Sequence, residues 1–354
     1  MDTIVKDRQS NIEWCRLMCM FMVVLGHFIY HGIMTRSEIY STQEGYLSAM
    51  PYLLHALCLC AVNTFVLISG YFSIRPKAKS FLNLYFIMAS YACAMYLLHM
   101  YVHGVPINRW LVYNTLMPFG LWETSTEWWF MPNYLMLFLL SPIFNKAIDA
   151  MSKHEMQISL GALSIVVFYF GWYRNMEWSQ GGFNFVQFIF MYFIGRYIAL
   201  HTAPSHKSYL WLLGWLAVAL AIGIINYYHP FNSPIAWYIN SYNSPLTVIA
   251  AVCLFNGFRS MSMQQNRVIN WLASSSLAIY LVHDCAYFRD IVYGSIAQIY
   301  DTNIAIVAYV ILFAIAAGMV LFIPCIDKIR MLITNPLIGY CVNEYKNIKE
   351  KCHR

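Results

Sequence analysis

Two ionisable residues within the first long apolar segment have a spacing suited to chemistry. The segment covers residues 12–33, with Arg16 near its start and His27 well inside it. The two are eleven positions apart, almost three turns of an α-helix, so both side chains lie on one face, roughly 16 Å apart along the axis. Ionisable groups inside a membrane span usually face a protein interior or a wet cavity. The pair therefore predicts a path for a negatively charged ligand, leading from Arg16 to the imidazole of His27.

A second group of candidate residues lies at the end of the next apolar segment. Ser69 and Gly70 would allow close approach of another backbone. Arg75, Lys77 and Lys79 follow within ten residues and place three cations at the same membrane surface as Arg16. Together they predict a seat for a polyphosphate.

Acidic and aromatic residues meet at the start of the fourth apolar segment, where Glu127 precedes Trp128, Trp129 and Phe130. The aromatic rings would lie at the outer mouth of the span. We expect this stretch to contact a substrate, with Glu127 as a carboxylate near His27.

A His-Asp pair ends the motif that runs from Ser274 to Asp284 in the ninth apolar segment. His283 lies at a depth similar to that of His27. Neighbouring residues on a helix point about 100° apart, so His283 and Asp284 cannot themselves form a catalytic dyad. We expect one of them to face the same cavity as His27.

Each of these features also has a purely structural interpretation. Arg16 could extend to the membrane surface, and His27 could be a core residue hydrogen-bonded to a neighbour. Gly70 could serve helix packing alone, and the basic residues after it could be no more than a stop-transfer flank. Trp129 and Phe130 could belong to the aromatic belt at the membrane surface.

The composition limits the class of protein. Hydrophobic residues make up 60% of the 354 residues and charged residues only 11%, against about 25% in soluble domains. The basic residues lie in loops and form no single patch, so no nucleic-acid partner is expected. Cys341, Cys352 and His353 match no zinc-site spacing, and no metal is expected. We predict an all-α, polytopic membrane helical bundle with one domain over residues 1–354.

About ten membrane spans of roughly 20 residues can be placed. With the N-terminus inside, eighteen Lys and Arg residues lie on the inner side and four on the outer side, so the positive-inside rule places both termini in the cytoplasm. Residues 326–354 are then a cytoplasmic tail, and 103–127 is an interfacial or re-entrant piece. The predicted spans are 12–33, 49–73, 81–102, 128–148, 157–173, 183–203, 208–228, 242–258, 271–293 and 303–325.

These stretches, in this order, resemble the acyltransferase-3 family of integral membrane acyltransferases. The family's first span carries Arg, ten residues and then His, as do Arg16 and His27. The stretch from Phe65 to Tyr71 resembles its second-span pattern, with Val66 in place of an aromatic residue. The Trp129-Phe130 pair and residues 276–283 are also similar. Lys79 stands where the family often has a second Arg after Arg75, and Lys lacks bidentate phosphate geometry.

The resemblance implies an O-acetyltransferase of the bacterial inner membrane that uses acetyl-CoA. Its acceptor would be a hydroxyl of a polysaccharide or a lipid-linked glycan precursor. His27 would act as a general base or an acyl carrier. The assigned residues are, for catalysis, His27, Glu127 and Asp284; for acetyl-CoA, Arg16, Ser69, Gly70, Tyr71, Arg75 and Lys79; and for the acceptor, Trp129, Phe130, Tyr280 and His283.

Two other classes of function remain open on the sequence. A transporter could use the Arg16–His27 face as a substrate or proton path, although its usual signs of repeated halves and paired broken helices are not visible. A structural protein of an envelope complex would not need His27. An acetyl-CoA hydrolysis or transfer assay separates the enzyme from both.

Overall fold

The chain folds into helices. The computed structural model describes residues 8–43, 45–107, 109–117, 128–230 and 233–352. Within those ranges there is no β-strand, which confirms the prediction of an all-α protein. The α-helices are α1 (Ser10–His27), α2 (Glu38–Thr42), α3 (Tyr46–Cys58), α4 (Ala61–Phe72), α5 (Ala78–His103), α6 (Arg109–Leu116), α7 (Phe130–Ala150), α8 (Lys153–Ser164), α9 (Phe185–His201), α10 (Ser208–Tyr228), α11 (Pro234–Asn240), α12 (Pro245–Arg259), α13 (Arg267–Ala273), α14 (Ser276–His283), α15 (Arg289–Thr302) and α16 (Ala305–Cys352).

Two of these helices widen before they end. Helix α1 continues as π-helical turns over Phe28–Met34, and α8 continues in the same way over Ile165–Tyr173. Short 3₁₀ turns lie at Gln180–Gly182 and Ala286–Phe288. Such π-helical turns are rare and often occur at functional sites. The change of pitch in α1 begins directly after His27.

Several helices are long and apolar enough to cross a bilayer, in agreement with an integral, multi-pass membrane protein. Within the described ranges six segments meet both criteria, fewer than the ten spans predicted. Helix α9 is apolar but has only 17 residues. The orientation of the termini stays a prediction. The six segments are Ser10–Met34, Leu47–Phe72, Ala78–His103, Lys153–Tyr173, Ser208–Tyr228 and Ala305–Tyr345.

Two predicted spans differ in form from the helices observed. The stretch 271–293 is not one helix but contains the end of α13, all of α14, a 3₁₀ turn and the start of α15. Helix α16 runs on past residue 325 to Cys352, so the predicted start of the tail is not a helix end. In the 103–127 segment, α6 is a short helix, and residues 118–127 lie outside the described ranges.

Helix α1 lies at the centre of the bundle. It contacts α3, α4, α12, α13, α14 and α16. Apolar residues occur all round this helix, the pattern expected for a helix buried on every side, and twelve of its eighteen residues are buried. Because α1 carries both Arg16 and His27, the bundle is built around the candidate site.

Helices α4 and α9 cross at very close range. A Cβ atom added to Gly70 would clash with the carbonyl oxygen of Tyr192, and one added to Gly195 would clash with that of Leu67. Small residues at such a crossing let two backbones approach each other within a membrane. This pair of glycines therefore fixes one wall of the bundle beside α1.

Candidate active site

A cavity of about 300 Å³ follows the Arg16–His27 face of α1. We call it the central cavity. Arg16, Met20, Val23 and His27 line it at intervals of four, three and four residues, which is one stripe of an α-helix. The predicted common face of Arg16 and His27 is therefore the wall of a single cavity. The remaining lining residues are Val62, Phe65, Ser69, Leu84, Trp129, Phe130, Met131, Tyr134, Tyr242, Ala273, Ser274, Ser276, Leu277 and Tyr280.

His27 lies against three polar side chains contributed by the end of α14 and by α15. Its Nδ1 is 3.2 Å from Nε2 of His283, 3.5 Å from the hydroxyl oxygen of Tyr293 and 3.7 Å from Oδ1 of Asp284. All three contacts involve the same ring nitrogen. The opposite nitrogen, Nε2, is left on the other side of the imidazole, and His27 itself lines the central cavity.

The contacts of His283 determine which nitrogen of His27 carries a proton. Nδ1 of His283 is 2.8 Å from the carbonyl oxygen of Ile279. A carbonyl oxygen only accepts, so this nitrogen is protonated, and Nε2 of a neutral His283 is an acceptor. Nδ1 of His27 therefore donates to His283. Nε2 of His27 keeps a lone pair, as a general base or a nucleophile requires.

Asp284 reaches the same cluster because α14 ends at His283. Asp284 has left the helix, with φ −107° and ψ 31°. The residue is only 3% exposed. Its carboxylate accepts hydrogen bonds from Nε of Arg289 at 3.2 Å and from the hydroxyl of Tyr293 at 3.4 Å. We expected one member of the His283–Asp284 pair to face the same cavity as His27; neither lines that cavity, and both contact Nδ1 of His27 instead. A carboxylate beside Nδ1 favours an imidazolium that forms during a reaction.

Tyr280 lines the cavity and carries a buried hydroxyl that donates to no described residue. Its ring lies 6.1 Å from the ring of His283 and 6.0 Å from that of Phe130. A buried donor without an acceptor is costly. Tyr280 is thus available to donate to an oxygen of a bound ligand.

Aromatic rings form the wall of the cavity at the start of α7. Trp129 stacks on Tyr242 with ring centroids 5.6 Å apart and contacts Phe183 at 4.6 Å. The backbone of Tyr242 is held in place, since its carbonyl accepts from Asn63 at 2.7 Å and from Gln187 at 3.0 Å. A fixed aromatic surface of this kind suits stacking of a planar or ring-shaped ligand.

A family model for an acyltransferase domain matches residues 9–326. The chain belongs to the acyltransferase-3 family. It is accordingly a membrane acyltransferase. No curated protein and no solved structure matches the chain.

In this acyltransferase-3 protein the central cavity brings together six of the sequence-predicted residues. Arg16 and His27 come from α1, and Ser69 comes from α4. Trp129 and Phe130, at the start of α7, and Tyr280 of α14 complete the six. His283 and Asp284 lie behind His27 and do not line the cavity. Glu127 lies outside the described residues.

Four residues predicted to bind acetyl-CoA lie away from the cavity lining. Gly70 is at the crossing of α4 with α9, and Tyr71 lies with its ring 5.3 Å from the guanidinium of Arg259. Arg75 and Lys79 are exposed in and just after the segment that follows α4. The ring of Phe72, which is 5.7 Å from the guanidinium of Arg16, joins this segment to the Arg16 end of the cavity.

The environment of Arg16 itself includes an acidic partner. Its Nη1 lies 3.3 Å from Oε1 of Glu13, one turn earlier in α1. Glu13 is buried, whereas 28% of the Arg16 side chain is exposed. The arginine is therefore held in place by Glu13 and remains accessible at the cavity.

Three residues of the His27 cluster were missed in the sequence. Tyr293 and Arg289 bind Asp284, and the ring of His31 stacks on that of Tyr293 at 5.0 Å. His31 follows His27 by four positions, a spacing that could have identified it. Tyr293 and Arg289 carry no such signal, because they lie beyond the break after α14. Among the residues that the structure describes, no group of three or more His, Cys, Asp and Glu side chains is arranged to hold a metal ion.

Proposed function

We propose that this protein transfers an acetyl group from cytoplasmic acetyl-CoA to a hydroxyl of a cell-surface polysaccharide or its lipid-linked precursor, in a bacterial inner membrane. One observation carries the proposal. Nε2 of His27 is the unprotonated ring nitrogen of a residue that lines the central cavity, and Arg16 lies on the same wall roughly 16 Å away by helical rise. A donor held by its phosphates near Arg16 would present its thioester to His27.

The cations near Arg16 would hold the donor. CoA is a polyanion, and charge-assisted contacts to phosphate are the strong kind. Arg16 would contribute from the cavity wall, Arg75 from the exposed segment after α4, and Lys79 from the first turn of α5. Ser69, which lines the cavity between Arg16 and His27, would contact the arm that carries the thioester. Gly70 and Tyr71 would act by fixing the end of α4.

In a direct transfer His27 would act as general base. Nε2 takes the proton of the acceptor hydroxyl while the hydroxyl oxygen attacks the thioester carbonyl carbon. The carbon–sulfur bond breaks, and the CoA thiolate leaves with the proton returned from the imidazolium. His283 holds the imidazole in the required tautomer, and Asp284 stabilises its positive charge.

In a two-step transfer Nε2 of His27 would itself attack the thioester. The carbon–sulfur bond breaks, and the ring gives up its Nδ1 proton, so the products of the first step are an N-acetylimidazole and the CoA thiol. The acceptor hydroxyl then attacks the acetyl carbon, its proton returns to the imidazole, and the bond between the acetyl carbon and Nε2 breaks. This route lets a cytoplasmic donor supply an acceptor that enters from the outer side.

Two further features support acyl transfer by either route. The hydroxyl of Tyr280 could donate to the thioester oxygen as negative charge develops there, the role of an oxyanion-hole donor. The aromatic wall at Trp129 and Phe130 would stack against a sugar ring of the acceptor.

The proposal is tested with purified protein, radiolabelled acetyl-CoA and a lipid-linked glycan. We expect release of CoA thiol that depends on the acceptor, and a labelled glycan product. His27→Gln should lower the transfer rate about 10²–10⁴-fold, because an amide can hydrogen-bond but cannot take the proton. Binding of CoA to the same variant shows that the cavity is intact.

Two outcomes would count against it. If the wild-type protein neither binds acetyl-CoA nor releases thiol with any glycan acceptor, acetyl-CoA is not the donor. A His27→Gln variant that acetylates within a few-fold of wild type would make the imidazole structural. Trapping of a labelled, hydroxylamine-sensitive protein in the absence of acceptor selects the two-step route over the direct one.

A further inference from the structure

The size of the central cavity limits which part of an acyl-CoA it can hold. Its volume of about 300 Å³ is at the lower end of the range for pockets that enclose a small molecule. An acyl group and its pantetheine arm suit such a space, but the nucleotide and phosphates of the same donor do not. The pyrophosphate would then lie at the mouth, and the residues around the mouth must match its charge.

The break between α13 and α14 borders the same cavity as Arg16. Ser274 and Ser276 line the cavity on either side of that break. The first backbone N–H groups of a helix have no partner within it and carry a partial positive charge. Helices interrupted inside a membrane protein use such N-termini to bind anions.

The N-terminus of α14 lacks a side-chain cap. Ser275 occupies the N-cap position but makes no capping hydrogen bond. Its hydroxyl is buried and has no partner among the described residues. Of the first three N–H groups of α14, that of Ala278 donates to the carbonyl oxygen of Ser275 at 3.0 Å, and no side chain caps those of Ser276 and Leu277.

Lys328 of α16 supplies a cation at the same place. Its Nζ donates to Oγ of Ser274 and lies 5.1 Å from the ring centroid of Trp271. The preceding residue, Asp327, is engaged elsewhere, since its Oδ1 accepts from Arg330 at 2.7 Å and from Tyr91 at 3.2 Å. Lys328 makes no ion pair with a residue in the described ranges, so its charge is available to a ligand.

We propose that Lys328, which the hydroxyl oxygen of Ser274 holds in place, and the N-terminus of α14 form, with Arg16, an anion seat that takes the pyrophosphate of the acyl donor. The seat rests on the proposed function, because it assumes a pyrophosphate-bearing acyl thioester. The seat would join α1 and α16, whereas Arg75, after α4, and Lys79, in the first turn of α5, are exposed and do not line the cavity. The phosphodiester of an anionic lipid headgroup offers the same kind of oxygen, and the experiment separates the two sources.

The test is equilibrium binding to the purified full chain in detergent, with CoA and with pantetheine, which lacks the phosphates. Lys328→Gln should weaken CoA binding by roughly ten- to a hundredfold, the range expected for one charge-assisted contact, and leave pantetheine binding unchanged. Lys328→Arg keeps the charge and should retain most of the affinity. Lys146→Gln, which changes an exposed lysine of α7, should bind both ligands as wild type does.

Each remaining outcome has a distinct meaning. If wild type binds neither CoA nor pantetheine, the proposed donor itself is wrong. If wild type binds both ligands equally well, the phosphates make no contact and the seat is wrong. If wild type binds CoA and Lys328→Gln binds it equally well, the seat is wrong and the donor stands. If Lys328→Gln loses affinity only for phosphatidylglycerol in nanodiscs, the seat belongs to a lipid headgroup and the proposal fails. Should Lys328→Gln not fold, Ser274→Ala replaces it, because it removes the oxygen that holds Lys328. We expect a several-fold loss of CoA affinity, and an unchanged affinity would overturn the seat.

Discussion

Replacement of His283 distinguishes a residue that positions His27 from one that binds the acceptor. The sequence assigns His283 to the acceptor, whereas its side chain lies behind His27 and donates to Ile279. His283→Leu removes the 3.2 Å contact with Nδ1 of His27. Asp284 remains 3.7 Å from that nitrogen, so the tautomer retains one acceptor.

The expected loss follows from that single contact. One hydrogen bond between neutral groups contributes about 0.5–1.5 kcal/mol, which corresponds to a fall in kcat of roughly two- to twelvefold. Loss of the base itself, in His27→Gln, should cost about 10²–10⁴-fold. His283→Gln, whose amide oxygen can still accept from Nδ1, should fall between wild type and His283→Leu. The double variant His283→Leu with Asp284→Ala removes both of these acceptors and should lose more than the product of the single losses.

Initial rates of CoA thiol release, measured over a range of donor and of acceptor concentrations, give kcat and both KM values. A positioning role lowers kcat and leaves both KM values near those of wild type. A raised acceptor KM at unchanged kcat would refute the reasoning and restore the assignment to acceptor binding. A His283→Leu variant as inactive as His27→Gln would show instead that His283 is the base.

Three further predictions concern packing, orientation and the donor. Gly70→Val should destabilise the protein by about 1–3 kcal/mol, because the added side chain meets the backbone of α9. Thermal unfolding in detergent measures the loss. The control Gly161→Ala, which has open space around it, should be neutral or stabilising. A cysteine placed at Lys77 should resist a membrane-impermeant label in intact cells while one at Glu38 reacts, and the reverse pattern would overturn the proposed orientation. Arg75→Ala should raise the KM for acetyl-CoA more than that for the acceptor; an unmoved donor KM would leave Arg75 with a topological role alone.

The common face of Arg16 and His27 could be predicted because it depends only on helical period. The segment is apolar apart from a few ionisable residues, so a buried helix was expected, and a separation of eleven positions brings the two side chains to one line. The closeness of Gly70 to another backbone also follows from residue type. What the sequence could not supply was the partner, Tyr192 of α9, since a glycine does not specify the helix that approaches it.

The arrangement behind His27 could not be predicted, because it depends on where α14 starts and stops. Ser274 and Ser275 interrupt an apolar stretch without proline or glycine, so hydropathy predicts a continuous span. The end of α14 at His283 turns Asp284 out of the helix, which is why two neighbouring residues meet one imidazole. Arg289 and Tyr293 then bind Asp284 from α15, a helix that a continuous span would have placed elsewhere.

The close crossing of α4 and α9 has a mechanical consequence for the central cavity. Two helices whose backbones touch through Gly70 and Gly195 resist sliding and separation, so the wall that carries Ser69 is expected to be rigid. The facing wall is α14, eight residues long and bounded by irregular backbone at both ends. We expect any change in the width of the cavity to be a tilt of α14 about those two ends, which would carry Tyr280 and His283 together relative to a stationary Ser69.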